Sequence, residues 1–251
     1  MSARAYGATS LRVLGQLGAD RRTVAMIVAV PSLLLVLLYF VYQNQPGPPG
    51  MPSVFDRVGV SMLGILPFVA MFLVTAIAMQ RERTSGTLER LMTTPLTKLD
   101  LLGGYGTAFS LAAVAQAVIA CVICFWLLGL DVAGGAALVV LIAVVVAVLG
   151  VALGLLCSAF ARTEFQAVQF MPLIVGPQLF LCGLLAPRES LPGWLEAISN
   201  VLPLSYAVSA MKQVAAHPSP TGAMWRDLAV VAGFAVVSLC LAAATMRRRT
   251  A

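Results

Sequence analysis

Residues 80–104 read QRERTSGTLERLMTTPLTKLDLLGG, a polar island between two long apolar runs. The island opens on Arg81, Glu82 and Arg83. Ser85 is placed to cap a helix, Glu89 falls in the first turn near the positive dipole end, and Leu88, Leu91 and Met92 share one face. Pro95 ends that helix and pushes Thr94 toward extended geometry. A second start follows: Thr97 and Asp100 have capping-box spacing just before the apolar residues from Leu101. The reading is a short amphipathic helix, a proline break and the beginning of a new membrane helix. By these residues alone, an ordinary cytoplasmic loop carrying a surface-lying helix is the favoured reading, since surface amphipathic helices are common.

The rest of the chain is the apolar medium in which this island stands. Of 251 residues, 60% are hydrophobic and 10% charged, with mean hydropathy +0.95; a soluble domain carries about 25% charged residues. The class is therefore an all-α membrane protein, with no separate soluble domain. The first apolar run begins at Val24 and is too long for a cleaved signal segment. All five cysteines lie in apolar runs, as expected of buried helix residues and not of a disulfide framework.

Six spans are expected in one transmembrane domain, at 24–42, 57–79, 104–128, 136–160, 166–186 and 225–246, each near the roughly 20 residues a bilayer needs. Residues 1–23, with Arg4, Arg12, Arg21 and Arg22 and an apolar face of Leu11, Leu14 and Leu17, read as an interfacial helix. Residues 187–224 are punctuated by prolines, with Pro192 and Pro203 suited to first helical positions. Trp194, Leu195 and Ile198 give the first short helix an apolar face; Tyr206, Ala210, Met211 and Val214 give one to the second. With six spans, the side holding both termini, the island and the 161–165 turn carries twelve of the sixteen Lys and Arg residues. That side is expected to be cytoplasmic in a cell membrane. The net charge of +6 is then a topology signal, and no nucleic-acid partner is expected.

Two stretches carry a resemblance. Glu82 to Glu89 (ERTSGTLE), then Pro95 and the Leu-Leu-Gly-Gly at 101–104, resemble the E-x-x-x-G-T-x-E…P…L-x-G pattern of ABC-2 type transporter permeases, including the drug-resistance branch. Tyr105 stands where that pattern often has Lys. Gly183 to Pro187, Leu191 to Leu195 and Leu202 to Tyr206 resemble the family's G-x-x-x-P…L-P-x-W…P-L-S-Y segment. The resemblance implies that Glu82, Arg83, Gly86, Thr87, Leu88, Glu89, Leu91 and Met92 form a coupling helix docking on an ATPase. It implies that Pro187, Pro192, Trp194, Pro203 and Tyr206 belong to short re-entrant helices near the outer leaflet. The implied partners are two separate ABC ATPase subunits, a second permease copy or paralogue, and membrane lipids. ATP and Mg would sit on the ATPase, with no cofactor bound by this chain.

Other chemistries lack their residues. There is no G-x-x-x-x-G-K-[ST] phosphate loop and no H-E-x-x-H; the single histidine is His217, in a Pro-rich loop. No acidic pair sits inside a span, against a proton-coupled carrier or intramembrane protease. Cys121-x-x-Cys124 has redox spacing, but in an apolar mid-helix it reads as packing. Gly150-x-x-x-Gly154 fits close helix packing, within one subunit or between two. Gln116, Gln166, Gln169 and Gln178 are polar groups within spans, open to reading as interhelical glue or as a substrate pathway. The functional expectation is the permease subunit of an ATP-driven exporter of a hydrophobic or amphipathic cargo, a drug or lipid. The alternatives are an exporter of a lipid-linked glycan or polysaccharide, or a carrier or scaffold that works without ATP.

Overall fold

The computed structural model describes residues 3–45, 52–87 and 97–245. The expected contributions of Leu88, Glu89, Leu91, Met92 and Pro95, and of the terminal arginines 247–249, lie outside the described residues. The described chain is helical, with no strand among its residues. In order, α1 is Ala3–Ala19, α2 Arg21–Tyr42, α3 Val54–Thr84, α4 Lys98–Val122 with a π-helical turn Ile123–Leu127, and α5 Ala136–Ser158. Then come α6 Glu164–Leu181, a 3-10 turn Arg188–Ser190, α7 Gly193–Ser199, α8 Pro203–Ala216 and α9 Gly222–Thr245.

Among the described residues five helices are long and apolar enough to cross a membrane: α2, α3, α4 with its π turn, α5 and α9. The expected fifth span is a real helix, but a shorter and more polar one. It ends at Leu181 instead of 186, because Gly183 turns the backbone left-handed at φ +85. Its 18 residues make about 27 Å at 1.5 Å per residue.

The bundle is built around α5, the most apolar helix, which packs on α3, α4, α8 and α9. The α3 contact is the closest. A Cβ at Gly150 would collide with the Phe68 carbonyl oxygen, and one at Gly154 would lie 2.6 Å from the Phe72 carbonyl oxygen. The G-x-x-x-G motif is thus spent on packing inside one chain, where small residues let backbones approach. Cys121 and Cys124 are buried free thiols on the same core.

Helix α3 is longer at both ends than the expected 57–79. Ser53 and Asp56 form a capping box at its start: Asp56 N–H donates to Ser53 Oγ at 3.0 Å and Ser53 N–H to Asp56 Oδ2 at 3.2 Å. At the other end the helix runs on through the first charges of the island to Thr84. Its 31 residues make about 46 Å, well beyond the roughly 30 Å of hydrocarbon. Ser85, expected to start the next helix, closes this one: its N–H donates to Arg81 O, and Gly86 follows at φ +72. The Thr97–Asp100 capping box is present at the start of α4.

Two apolar faces point partly outward. In α1, Leu11 points outward at 71% exposure while Thr9, Ser10 and Val13 are buried, because α1 lies on the glycines of α4, which admit small and polar side chains. In α7, Trp194 and Ile198 are exposed, so this short helix offers its apolar side outward, as an interfacial aromatic does. Pro192 is the residue before α7, whereas Pro203 does open α8.

Candidate functional site

At one end of the bundle, α1, the extended end of α3 and the beginnings of α2, α4 and α6 converge. The cause is local. Gly103 and Gly104 remove side chains where α1 crosses α4; a Cβ on Gly104 would lie 2.6 Å from Thr9 Cγ2, and one on Gly103 2.9 Å from Tyr6 Cε2. The Tyr6 hydroxyl hydrogen-bonds the Thr107 hydroxyl across the crossing. So the Leu-Leu-Gly-Gly stretch is the seat of the first helix.

That seating brings Arg12 to the island. Its Nη2 donates to the Tyr105 hydroxyl at 2.5 Å, its guanidinium stands 5.6 Å from the Tyr105 ring centroid, and its Nη1 is 4.0 Å from Glu82 Oε1. Three helices, α1, α3 and α4, therefore meet through one Arg–Tyr–Glu cluster. Tyr105 is fully buried there. A phenol is an acceptor for the arginine, which a lysine at that position would not be. The remaining Glu82 oxygen, Oε2, is buried without a donor, and Arg83 Nε and Nη2 are buried without a partner. Beside the cluster, Arg81 forks onto Glu164 at the start of α6, at 3.3 and 3.5 Å. The pair is exposed, worth no more than about 1 kcal/mol; it positions the α6 start more than it stabilises the fold.

Asp20 caps α2 at the same end of the bundle. Its carboxylate accepts from the Thr23 hydroxyl at 2.7 Å and the Thr23 N–H at 3.2 Å. These bonds, the hydroxyl first, hold its pKa below the ordinary carboxylate value. A folded-state pKa that is lowered favours the folded cap above the unfolded pKa, and this contribution fades as pH falls through the folded value.

Of the expected coupling residues, Glu82, Arg83, Gly86 and Thr87 lie at this end, Glu82 inside the cluster and Gly86 and Thr87 just past the end of α3. Arg12 and Tyr105 were not among the expected site residues. The sequence signals were the basic character of α1 and the departure from Lys at 105, neither of which says that the two meet.

The glutamines do not converge. Gln178 donates to Ile174 O at 3.0 Å and accepts from the Leu204 N–H at 3.3 Å, tying α6 to the start of α8. Gln166 accepts from the Arg162 N–H at 2.8 Å, inside a turn, and Gln169 is exposed. Gln116 is 1% exposed and neither of its amide atoms has a partner.

The far end is held by the 183–206 segment. Arg188 hydrogen-bonds Asn200 and stands 5.7 Å from the Tyr206 ring centroid. The Tyr206 hydroxyl donates to Asn200 O at 2.7 Å, and Ser199 donates to Leu181 O at 2.8 Å. Pro187 precedes the 3-10 turn. Helix α8, with 14 residues or about 21 Å, is too short to span yet has a buried face against α3, α5 and α9.

A family model described as ABC-2 type transporter matches residues 8–215. Among curated proteins, the probable multidrug ABC transporter permease YbhR of Escherichia coli is 27% identical over 168 residues, 67% of this chain and 46% of its own length. The linearmycin resistance permease protein LnrN of Bacillus subtilis is 26% identical over 151 residues, 60% of this chain and 38% of its own. The ABC transporter G family member 20 of Dictyostelium discoideum is 28% identical over 159 residues, 63% of this chain and 22% of its own. The chain thus spans less than half the length of each.

Proposed function

Because the chain belongs to the ABC-2 type transporter family, we propose that it is the membrane-spanning permease subunit of an ATP-driven exporter that moves a hydrophobic or amphipathic cargo outward. The observation that carries the reading is the Arg12–Tyr105–Glu82 cluster at the end of an overlong α3. A force applied to the residues after Thr87 acts on a helix that is clamped at that point to α1 and α4, and that touches α5 backbone to backbone further along. Packed cores shift between discrete arrangements and do not bend continuously, so such a lever can pass an ATPase's closure to the bundle.

In this reading residues 82–92 dock on an ATPase subunit, two per complex, and a second permease copy or paralogue completes the pathway. Helix α6 is the fifth of six crossings, beside the five helices long and apolar enough to span. Its first residue contacts Arg81 at the clustered end, and its last carbonyl accepts from Ser199 at the other. The clustered end faces the cytoplasm with both termini. The names of the relatives, a probable multidrug permease and a linearmycin resistance permease, support a drug-like cargo.

The test is co-purification with a nucleotide-binding subunit. Glu82→Ala with Glu89→Ala is expected to abolish the complex while leaving the permease monodisperse. A complex that survives deletion of residues 86–94, or cargo transport in proteoliposomes lacking any ATPase, would overturn the proposal in favour of a free-standing carrier.

A further inference from the structure

A cavity of about 620 Å³ lies against the clustered end of the bundle, between α1, α2, α3, α4 and the start of α6. Its floor is apolar: Val13, Leu17, Met26, Val74, Ile77 and Phe109. Among the described residues its charged lining is Asp20, Glu82 and Glu164 against one cation, Arg81. Arg21 and Arg22 adjoin Asp20 in sequence but do not line it.

The carboxylates are incompletely neutralised. Arg81 is already forked onto Glu164. Arg12 gives its short bond to Tyr105 and reaches Glu82 at 4.0 Å; Tyr105 also hydrogen-bonds Glu82, whose second oxygen, Oε2, lacks a donor. Asp20 accepts from Thr23 and from the Arg22 backbone N–H, and among the described residues no cationic side chain is hydrogen-bonded to it. Among the described residues the lining itself holds three acids and one base; Arg12 and Arg83 belong to the same end of the bundle but do not line the cavity. A site of roughly 300–1,000 Å³ with an apolar lining and a few polar groups suits one drug-sized molecule, and residual charge beside a low-dielectric wall selects the opposite sign.

We infer that this cavity binds a small hydrophobic cation, an apolar body bearing one positive group, as the first docking point of cargo within a single permease chain. A two-chain phospholipid is larger than the space, and an anionic amphiphile would meet the wrong charge. The inference rests on the permease reading for its meaning as cargo, but not for the binding itself.

The test is equilibrium binding to the full chain in phosphatidylcholine nanodiscs, without any ATPase and with empty nanodiscs as background. The probes are tetraphenylphosphonium and tetraphenylborate, which share a shape and differ in charge. Saturable binding of the phosphonium, one per chain, is expected, with none for the borate. Asp20→Asn keeps the helix cap, since Asn caps as well as Asp, and is expected to weaken binding about threefold, in the range of an exposed charge pair. Arg81→Gln removes the one cation among the described lining residues and frees Glu164, so it is expected to tighten binding by a similar factor. A merely structural role for these residues would not give opposite signs. Met26→Trp fills the floor and is expected to abolish binding, with the monodispersity of the chain checked beside it. Saturable borate binding of equal strength, phosphonium binding indifferent to Asp20→Asn, or weaker binding in Arg81→Gln would overturn the inference. Because no ATPase is present, this outcome and that of the co-purification are independent.

Discussion

At the scale of the residue, the most exposed bet of the molecule is Gln116. Its amide is buried on the α4 core face with neither atom paired, a state that costs about 1–3 kcal/mol. Methionine has similar length and no hydrogen bonds to lose. Gln116→Met is therefore expected to leave the thermal midpoint in detergent unchanged or raised. A clear fall would mean that the amide has a partner that matters to the fold. If the midpoint holds while export drops, the glutamine belongs to the cargo path. Gln178, by contrast, is already committed to Ile174 and the α8 start, so the same type of side chain is paired in α6 and unpaired in α4.

At the scale of the element, two pairs of glycines make two different joints. Gly150 and Gly154 let α5 touch the α3 backbone in the middle of the bundle. Gly154→Leu is expected to cost about 1–3 kcal/mol by overpacking, or more because backbone blocks the space, read as a lowered midpoint and loss of monodispersity. Gly103 and Gly104 seat α1 at the edge. Gly104→Leu is expected to leave the midpoint of the bundle nearly intact while detaching α1, seen as new protease sensitivity within residues 3–19 and loss of export. If Gly104→Leu collapsed the whole fold, α1 would be part of the core and not a transmitting arm.

At the scale of the whole molecule, the prediction concerns orientation. With Cys240, the one exposed cysteine, replaced, Thr87→Cys is expected to resist a membrane-impermeant maleimide in intact cells and to react after lysis. His217→Cys is expected to react in intact cells. Labelling of position 87 from outside would place the Arg12–Tyr105–Glu82 cluster beyond the reach of any ATPase.

The sequence by itself determined the helical class, the order of the apolar segments and several helix starts. Hydropathy over some 20 residues, capping boxes such as Thr97–Asp100 and the proline at 203 are local signals that need no knowledge of neighbours. Its family likeness at 82–89 and 183–206 rests on the same kind of contiguous pattern. Only the tertiary structure decided which helices the glycines join, why Leu11 faces outward, and that Arg12, Tyr105 and Glu82 form one cluster. Those partners are about 93 and 70 residues apart from the arginine along the chain. Periodicity reports which face of a helix is apolar, but the choice of partner depends on close packing among several helices at once.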